Sequence, residues 1–395
     1  EYAAMQERID ESQPIRMFYQ WHQAGDQPCQ DVAQGEWWEN TRENANRFSA
    51  ISYFAGRIIQ KETDIPIGLI DTSIAGTWLQ SWVPEDFFDG SEESDKYYRD
   101  WFHRERLYKE GWCRPCGPFY GQVAPLSGFA AKGVFWYQGS NNMGQRKKFY
   151  NYDRQLMKMI QLWRKVFSNE ELDFAVIQAL PSLCYTVPNM PKLEGGIDNP
   201  AGVNDLAMLF MEAKPKEPTE NMFGYVTLRE HQSHVEQQLD HVLTVVAIDM
   251  ANKTHDVHPP NKLPLGERLG EQVLGAFYGV EGLRHSPVFK AVQKVDGGLL
   301  VTFDHAEGGL ISKDGKALRH FEVSEDGYNF TDAEAELTES GILVKTESAT
   351  YVRHAFESCP EVNVYNQAGY PLEPFRAGVA EGRIWEGEFT VKISC

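Results

Sequence analysis

The hydrophobic pattern changes period near residue 282, and this change constrains the fold more than any other feature of the chain. Before it, short apolar runs alternate with segments of helical spacing. One run is Ile65-Pro66-Ile67-Gly68-Leu69-Ile70-Asp71. The stretch before it, 43–62, places Phe48, Ile51, Phe54, Ala55, Ile58 and Ile59 on one helical face. Gly133-Val134-Phe135-Trp136-Tyr137, Leu172 to Leu180 and Val242 to Asp249 are three further strand-like runs. Helices are expected near 148–167 and over 263–278, the second stopped by Gly279. Strands alternating with helices predict a parallel α/β sheet. Beyond the change, short strands are broken by Gly297-Gly298, Gly308-Gly309, Asp314-Gly315 and Asp326-Gly327. That is the pattern of an all-β unit. The expected organisation is therefore an α/β domain over 1–282 and a smaller β domain over 283–395. Residues 181–222, rich in Pro, Gly and Asn, read as a loop insertion.

Composition narrows the partners. The chain carries 57 acidic against 38 basic residues, a net charge of −19, which repels phosphate backbones and anionic lipid. No apolar run approaches the ~18 residues of a membrane span. The chain starts at Glu1 without an initiator Met, in what reads as the middle of a helix, so a processed or truncated chain is expected. Among six cysteines only Cys113-Arg114-Pro115-Cys116 has suggestive spacing. It lies between Gly111 and Gly117 and not at a strand-to-helix turn, so a local disulfide or two thiols is the expectation. A zinc site needs a second ligand pair, and the sequence offers none. Neither a metal nor an organic cofactor is expected.

In an open parallel sheet, ligands bind beyond the carboxyl ends of the strands. Three segments fall at such ends: Ser73-Ile74-Ala75-Gly76-Thr77-Trp78, Gln138-Gly139-Ser140-Asn141-Asn142 and His255-Asp256-Val257-His258. An ester hydrolase needs a hydroxyl nucleophile, a histidine to take its proton, and donors for the developing oxyanion. His258, in a proline-rich loop before a helix, suits the base, with Asp256 or another carboxylate on its far nitrogen. Gly76 permits close backbone approach, so that its N–H can face an oxyanion, and Asn142 has a side-chain N–H to offer. Taken singly, these residues read equally as a polar loop histidine, a turn glycine and a loop-capping asparagine.

Their order and framework resemble the sialate O-acetylesterase family of the SGNH hydrolases. Phe48 to Arg57 runs into Ile65 to Ile70 and Ala75-Gly76-Thr77. Phe119-Tyr120-Gly121-Gln122-Val123-Ala124-Pro125-Leu126 leads into Gly133 to Gly139, and Leu162-Trp163-Arg164 follows. Leu228-Arg229-Glu230-His231-Gln232 precedes Asp256-Val257-His258-Pro259, Lys262 and Gly266-Glu267-Arg268-Leu269. Val352-Arg353, Asn363-Val364-Tyr365-Asn366 and Pro374-Phe375-Arg376 fit the end of the family's β domain.

The resemblance implies a three-layer SGNH-type parallel sheet flanked by helices, followed by a β-sandwich. It implies His258 as base, with Asp256 as its partner, and Gly76 and Asn142 as the oxyanion hole. The substrate would be an acetyl ester of sialic acid or a related glycan, met outside the cell or in the periplasm. Gln138, Trp78, Tyr137 and Arg229 are the expected substrate-side residues, with Trp82 and Trp136 extending an aromatic platform. Three positions depart from the pattern: Ala75 stands for a glycine, and Ser140 and Asn141 stand for Glu and Ser. The family's Gly-Gln-Ser-Asn-Met nucleophile block is missing from 1–72 and is expected just before Glu1. Ser140 is set aside because Trp136-Tyr137-Gln138-Gly139 anchors its stretch as a different block. The competing expectation is a catalytically inactive, glycan-binding homologue.

Overall fold

A computed structural model describes residues 2–21, 24–32, 34–91, 95, 115–142, 151–181, 225–250, 260–357 and 359–385. Six strands build the α/β part in two sets. In the first, β1 (Ile15–Gln20) lies between antiparallel β2 (Gly35–Glu39) and parallel β3 (Ile67–Asp71). In the second, β4 (Gly133–Trp136), β5 (Asp173–Ile177) and β6 (Val242–Val245) run parallel in that order. β3 to β6 fall within the expected runs, each shorter than its run. β1, and the antiparallel β2, are additions to the reading from sequence.

The three layers follow from the alternation of β5. Phe174 and Val176 face a core with Leu156, Ile160 and Trp163 of the Tyr152–Val166 helix. Ala175 and Ile177 face the opposite core, with Ile51, Ala55 and Ile59 of the Ala50–Thr63 helix and Leu265, Leu269 and Val273 of the Leu263–Tyr278 helix. A strand buried on both faces reads as an unbroken apolar run, and Asp173-Phe174-Ala175-Val176-Ile177 is nearly one. The Leu263–Tyr278 helix has Pro264 in its first turn and ends at Gly279 in the left-handed conformation, as expected.

The Ala50–Thr63 and Leu263–Tyr278 helices touch through glycine. A Cβ on Gly270 would lie 2.8 Å from the Ala55 carbonyl oxygen, and one on Gly266 2.9 Å from that of Ile51. The obstacle is the neighbour's backbone, which cannot rotate away. Gly270→Val is therefore expected to destabilise the fold by roughly 2 kcal/mol or more, seen as a lower denaturation midpoint. An unchanged midpoint would refute the close-contact account.

From Val288 on, the described strands are antiparallel. One sheet holds Val288–Val295, Gly298–Asp304, Gly341–Lys345 and Ala335–Thr338. The other is built around Phe321–Ser324, Tyr351–His354 and Phe375–Gly378. Leu299, Val301 and Ile342 of the first share one core with Phe321, Val352 and Phe375 of the second, so the two sheets pack face to face.

The junction with the α/β part joins apolar contacts, Val226 on Phe330 and Phe356 and Val246 and Ile248 on Ala355 and Val362, to buried polar pairs. Arg376 donates to both carboxylate oxygens of Glu230 at 3.1 and 2.9 Å, with both side chains buried. Arg268 holds Asp249 at 2.6 and 2.8 Å, and the Tyr365 hydroxyl reaches the same carboxylate. His285 sits 2.7 Å from the Ser286 carbonyl through Nδ1 and 2.8 Å from Glu236 through Nε2. Both nitrogens face acceptors, so the ring is an imidazolium. Burial opposes that charge, but the Glu236 carboxylate outweighs it and raises the His285 pKa to about 9. The stabilisation is complete below the ordinary histidine value and lost as pH rises through about 9. Relative to His285→Gln, the protein should lose on the order of 2–3 kcal/mol between pH 6.5 and 10. Parallel stability–pH curves for the two proteins would count against this assignment.

Candidate active site

Two turns meet at the carboxyl ends of β3 and β4. After Asp71, the Ser73 N–H and hydroxyl both donate to the Asp71 carboxylate, at 2.9 and 2.6 Å. The chain then turns through Gly76, whose φ of 75° is left-handed and favours glycine. After Trp136, Gly139 lies under Leu228, where a Cβ would come within 2.9 Å of the leucine side chain. The 3₁₀ turn Ser140–Asn142 follows, closed by the Asn142 N–H on the Gly139 carbonyl.

Side-chain amides stitch these turns together. Asn142 Oδ1 accepts from the Leu79 backbone N–H at 3.1 Å and from Gln138 Nε2 at 2.7 Å. Asn142 Nδ2 donates to Gln80 Oε1 at 3.0 Å, and Gln80 Nε2 donates to Gln155 Oε1 at 2.9 Å. Gln138 Nε2 also reaches the Thr77 carbonyl, and its Oε1 lies 2.9 Å from the Tyr152 hydroxyl. Gln232 donates to the Gln138 carbonyl and accepts from the Ala179 N–H. The segments carrying Gly76 and Asn142 are thus brought together. Gln138, expected to face substrate, has its amide engaged within the protein.

The other expected residues divide. His258 and Asp256 lie outside the described residues. Tyr137 is 39% exposed, with Lys262 Nζ 5.6 Å from its ring centre. Trp78 is half-buried against the core, while Trp82 and Trp136 are buried in it with centroids 6.4 Å apart. Arg229 is fully buried and donates to the Glu357 carbonyl; burial lowers its pKa to about 10. This position belongs to the domain junction and offers no surface to a substrate. Ser140 is half-buried, and Ser73 is exposed beside Asp71. Cys113 of the Cys113–Cys116 pair also lies outside the described residues.

Other histidines meet carboxylates, with different roles. His285 uses both nitrogens at the junction. His231 is buried, its pKa lowered by that burial, and its Nδ1 accepts the Asp153 N–H, so it is neutral. His234 Nδ1 lies 2.6 Å from Asp153, with its ring stacked on Trp385. Asp249 is held by Arg268 and Tyr365. Sequence reasoning passed over Gln80, Gln155, Gln232 and Tyr152. The only signal was for Gln155, a polar residue where the spacing of the Tyr152–Val166 helix calls for an apolar one.

The fold is that of a carbohydrate acetylesterase from Xanthomonas citri: the TM-score is 0.74 at 24% identity, over 95% of this chain and 75% of that one. Residues 6–275 match the family model described as carbohydrate esterase, sialic acid-specific acetylesterase. The chain belongs to that family. Among curated relatives, the sialate O-acetylesterase of Mus musculus is 23% identical over 300 residues, covering 66% of this chain and 49% of that protein. The Homo sapiens protein of the same name is 24% identical over 153 residues, covering 33% and 25%. The chain thus spans about a quarter to a half of the length of these relatives. Among the described residues, no helix is long and apolar enough to cross a membrane.

Proposed function

We propose that the protein is a serine carbohydrate O-acetylesterase acting on acetylated sialic acid or a related glycan. A serine hydroxyl attacks the acetyl carbonyl while His258, oriented by Asp256, takes its proton. The Gly76 N–H and Asn142 Nδ2 receive the oxyanion. Collapse returns the proton from His258 to the departing sugar oxygen, and water then releases acetate from the acyl-serine.

The observation that carries this reading is the joining of the two turns through Asn142, Gln138 and Thr77. It joins the segments that carry the two candidate donors at the carboxyl ends of β3 and β4, the end of a parallel sheet where ligands bind. Lys262, four residues after His258 in sequence, lies over Tyr137, next to Gln138.

The resemblance puts the serine just upstream of Glu1, in the block that residues 1–72 lack. Among the described residues, β3 pairs only with β1 and β4 only with β5. Tyr137 is the exposed aromatic surface for a sugar ring, with half-buried Trp78 beside the oxyanion turn. A secreted or periplasmic location goes with a glycan substrate.

The test is acetate release from a generic acetyl ester and from O-acetylated sialic acid by the full-length parent protein. Turnover of both is expected. Glycan binding without any turnover would favour an inactive homologue, a reading that the Ala75, Ser140 and Asn141 departures make specific.

A further inference from the structure

Asn142 has two Nδ2 hydrogens, and an oxyanion needs one of them aimed at a fixed point. The Leu79 backbone N–H can only donate, so the Asn142 atom 3.1 Å away is its oxygen. Nδ2 therefore faces Gln80, which must present Oε1, and Gln80 Nε2 must then face Gln155 Oε1. One backbone N–H thus sets the direction of three amides. Gln80 and Gln155 are each 1% exposed, so water does not compete for these bonds. Among the described residues, no acceptor takes the second Nδ2–H of Asn142. Its Oδ1 already accepts two hydrogen bonds, which polarises the amide and strengthens its remaining donor.

We propose that Gln80 is a positioning residue for the esterase reaction. By accepting one Nδ2–H of Asn142, with Gln155 holding it from behind, it aims the other at the oxyanion. The inference rests on the reading of Asn142 as an oxyanion donor. Nothing in the hydrophobic pattern singles out Gln80, whose side chain lies beneath the turn and reaches substrate only through Asn142.

The experiment compares Gln80→Met, Gln80→Glu, Asn142→Ala and the Gln80→Met/Asn142→Ala double variant in the full-length protein. Gln80→Met should lower kcat roughly 10- to 50-fold with KM within about threefold, the effect of one lost orienting bond. The double variant should be no slower than Asn142→Ala, because Gln80 acts only through Asn142. Gln80→Glu tests the chemistry without changing the shape. When neutral, its carboxyl accepts from Asn142 and donates to Gln155, so activity should approach wild type. As the buried carboxyl ionises it loses that donor, adding an alkaline fall in kcat that the wild type lacks. An unchanged kcat in Gln80→Met, or losses that multiply in the double variant, overturns the proposal.

If the wild type releases no acetate, the esterase reading fails and the relay is tested alone, by NMR of protein labelled with ¹⁵N-asparagine. One Asn142 Hδ2 slow to exchange in the wild type, and fast in Gln80→Met, supports the relay. Equal exchange of both hydrogens in the wild type overturns it.

Discussion

Alanine at His258 is expected to lower acetate release by roughly 10⁴-fold or more, with KM changed far less. The serine hydroxyl is a weak nucleophile until a base removes its proton, and the leaving sugar oxygen needs that proton back. In the proposed mechanism a single imidazole does both, so its loss is not shared out among neighbours. Three described acid–base side chains are already engaged. Asp249 is held by Arg268 and Tyr365, His231 accepts a backbone N–H, and His285 is committed to Glu236 and Ser286. The measurement is initial-rate kinetics on an acetyl ester, with thermal melting to show that the variant is folded. Activity that survives in a folded His258→Ala protein would remove His258 from the mechanism.

Arg376→Ala is expected to cost about 3–5 kcal/mol of stability. Glu230 is 3% exposed, and burial already raises its pKa against the pull of Arg376. Without the guanidinium, a buried carboxylate that has lost both of its Arg376 hydrogen bonds and keeps only the weaker pull of Arg383 must be carried through folding, or be protonated. Its folded pKa then lies still further above the unfolded one. Stability in the variant is therefore greater at low pH and falls as Glu230 ionises. The deficit relative to wild type should be smaller at pH 5 than at pH 8, and Glu230→Leu/Arg376→Met should recover much of it. Chemical denaturation at the two pH values measures this. A deficit independent of pH would mean that Arg376 contributes packing and not charge.

The sequence disclosed what depends on apolar periodicity. β5 and β6 appeared as continuous runs, because strands covered on both faces have no polar side, and β3 and β4 are apolar runs although partly exposed. The Leu263–Tyr278 helix showed through its apolar face and its glycine stop. The Tyr225–Gln238 helix did not, since its buried residues include Arg229, Glu230, His231, Gln232 and Ser233. These are buried because each meets a partner at the junction or beneath the site, and periodicity cannot see partners. β1 alternates Ile15 and Met17 inward against Arg16 outward, but over too short a length to stand out. Of the candidate site, the Gly76 and Asn142 segments were read as separate blocks and meet in space, while Asp256 and His258 lie outside the described residues. The amides that hold Asn142 were not legible, because glutamine has no fixed meaning until its neighbours are known.

The Tyr225–Gln238 helix has a consequence for how the molecule can be divided. Glu230 grips the β domain through Arg376, and two residues on, Gln232 grips the loop that carries Asn142. A single half-turn of backbone thus belongs to both parts. The β domain is then not an appendage to be shed or traded for another. Cutting near residue 282 would take away the guanidinium that Glu230 holds, two residues from the Gln232 that supports the loop of Asn142.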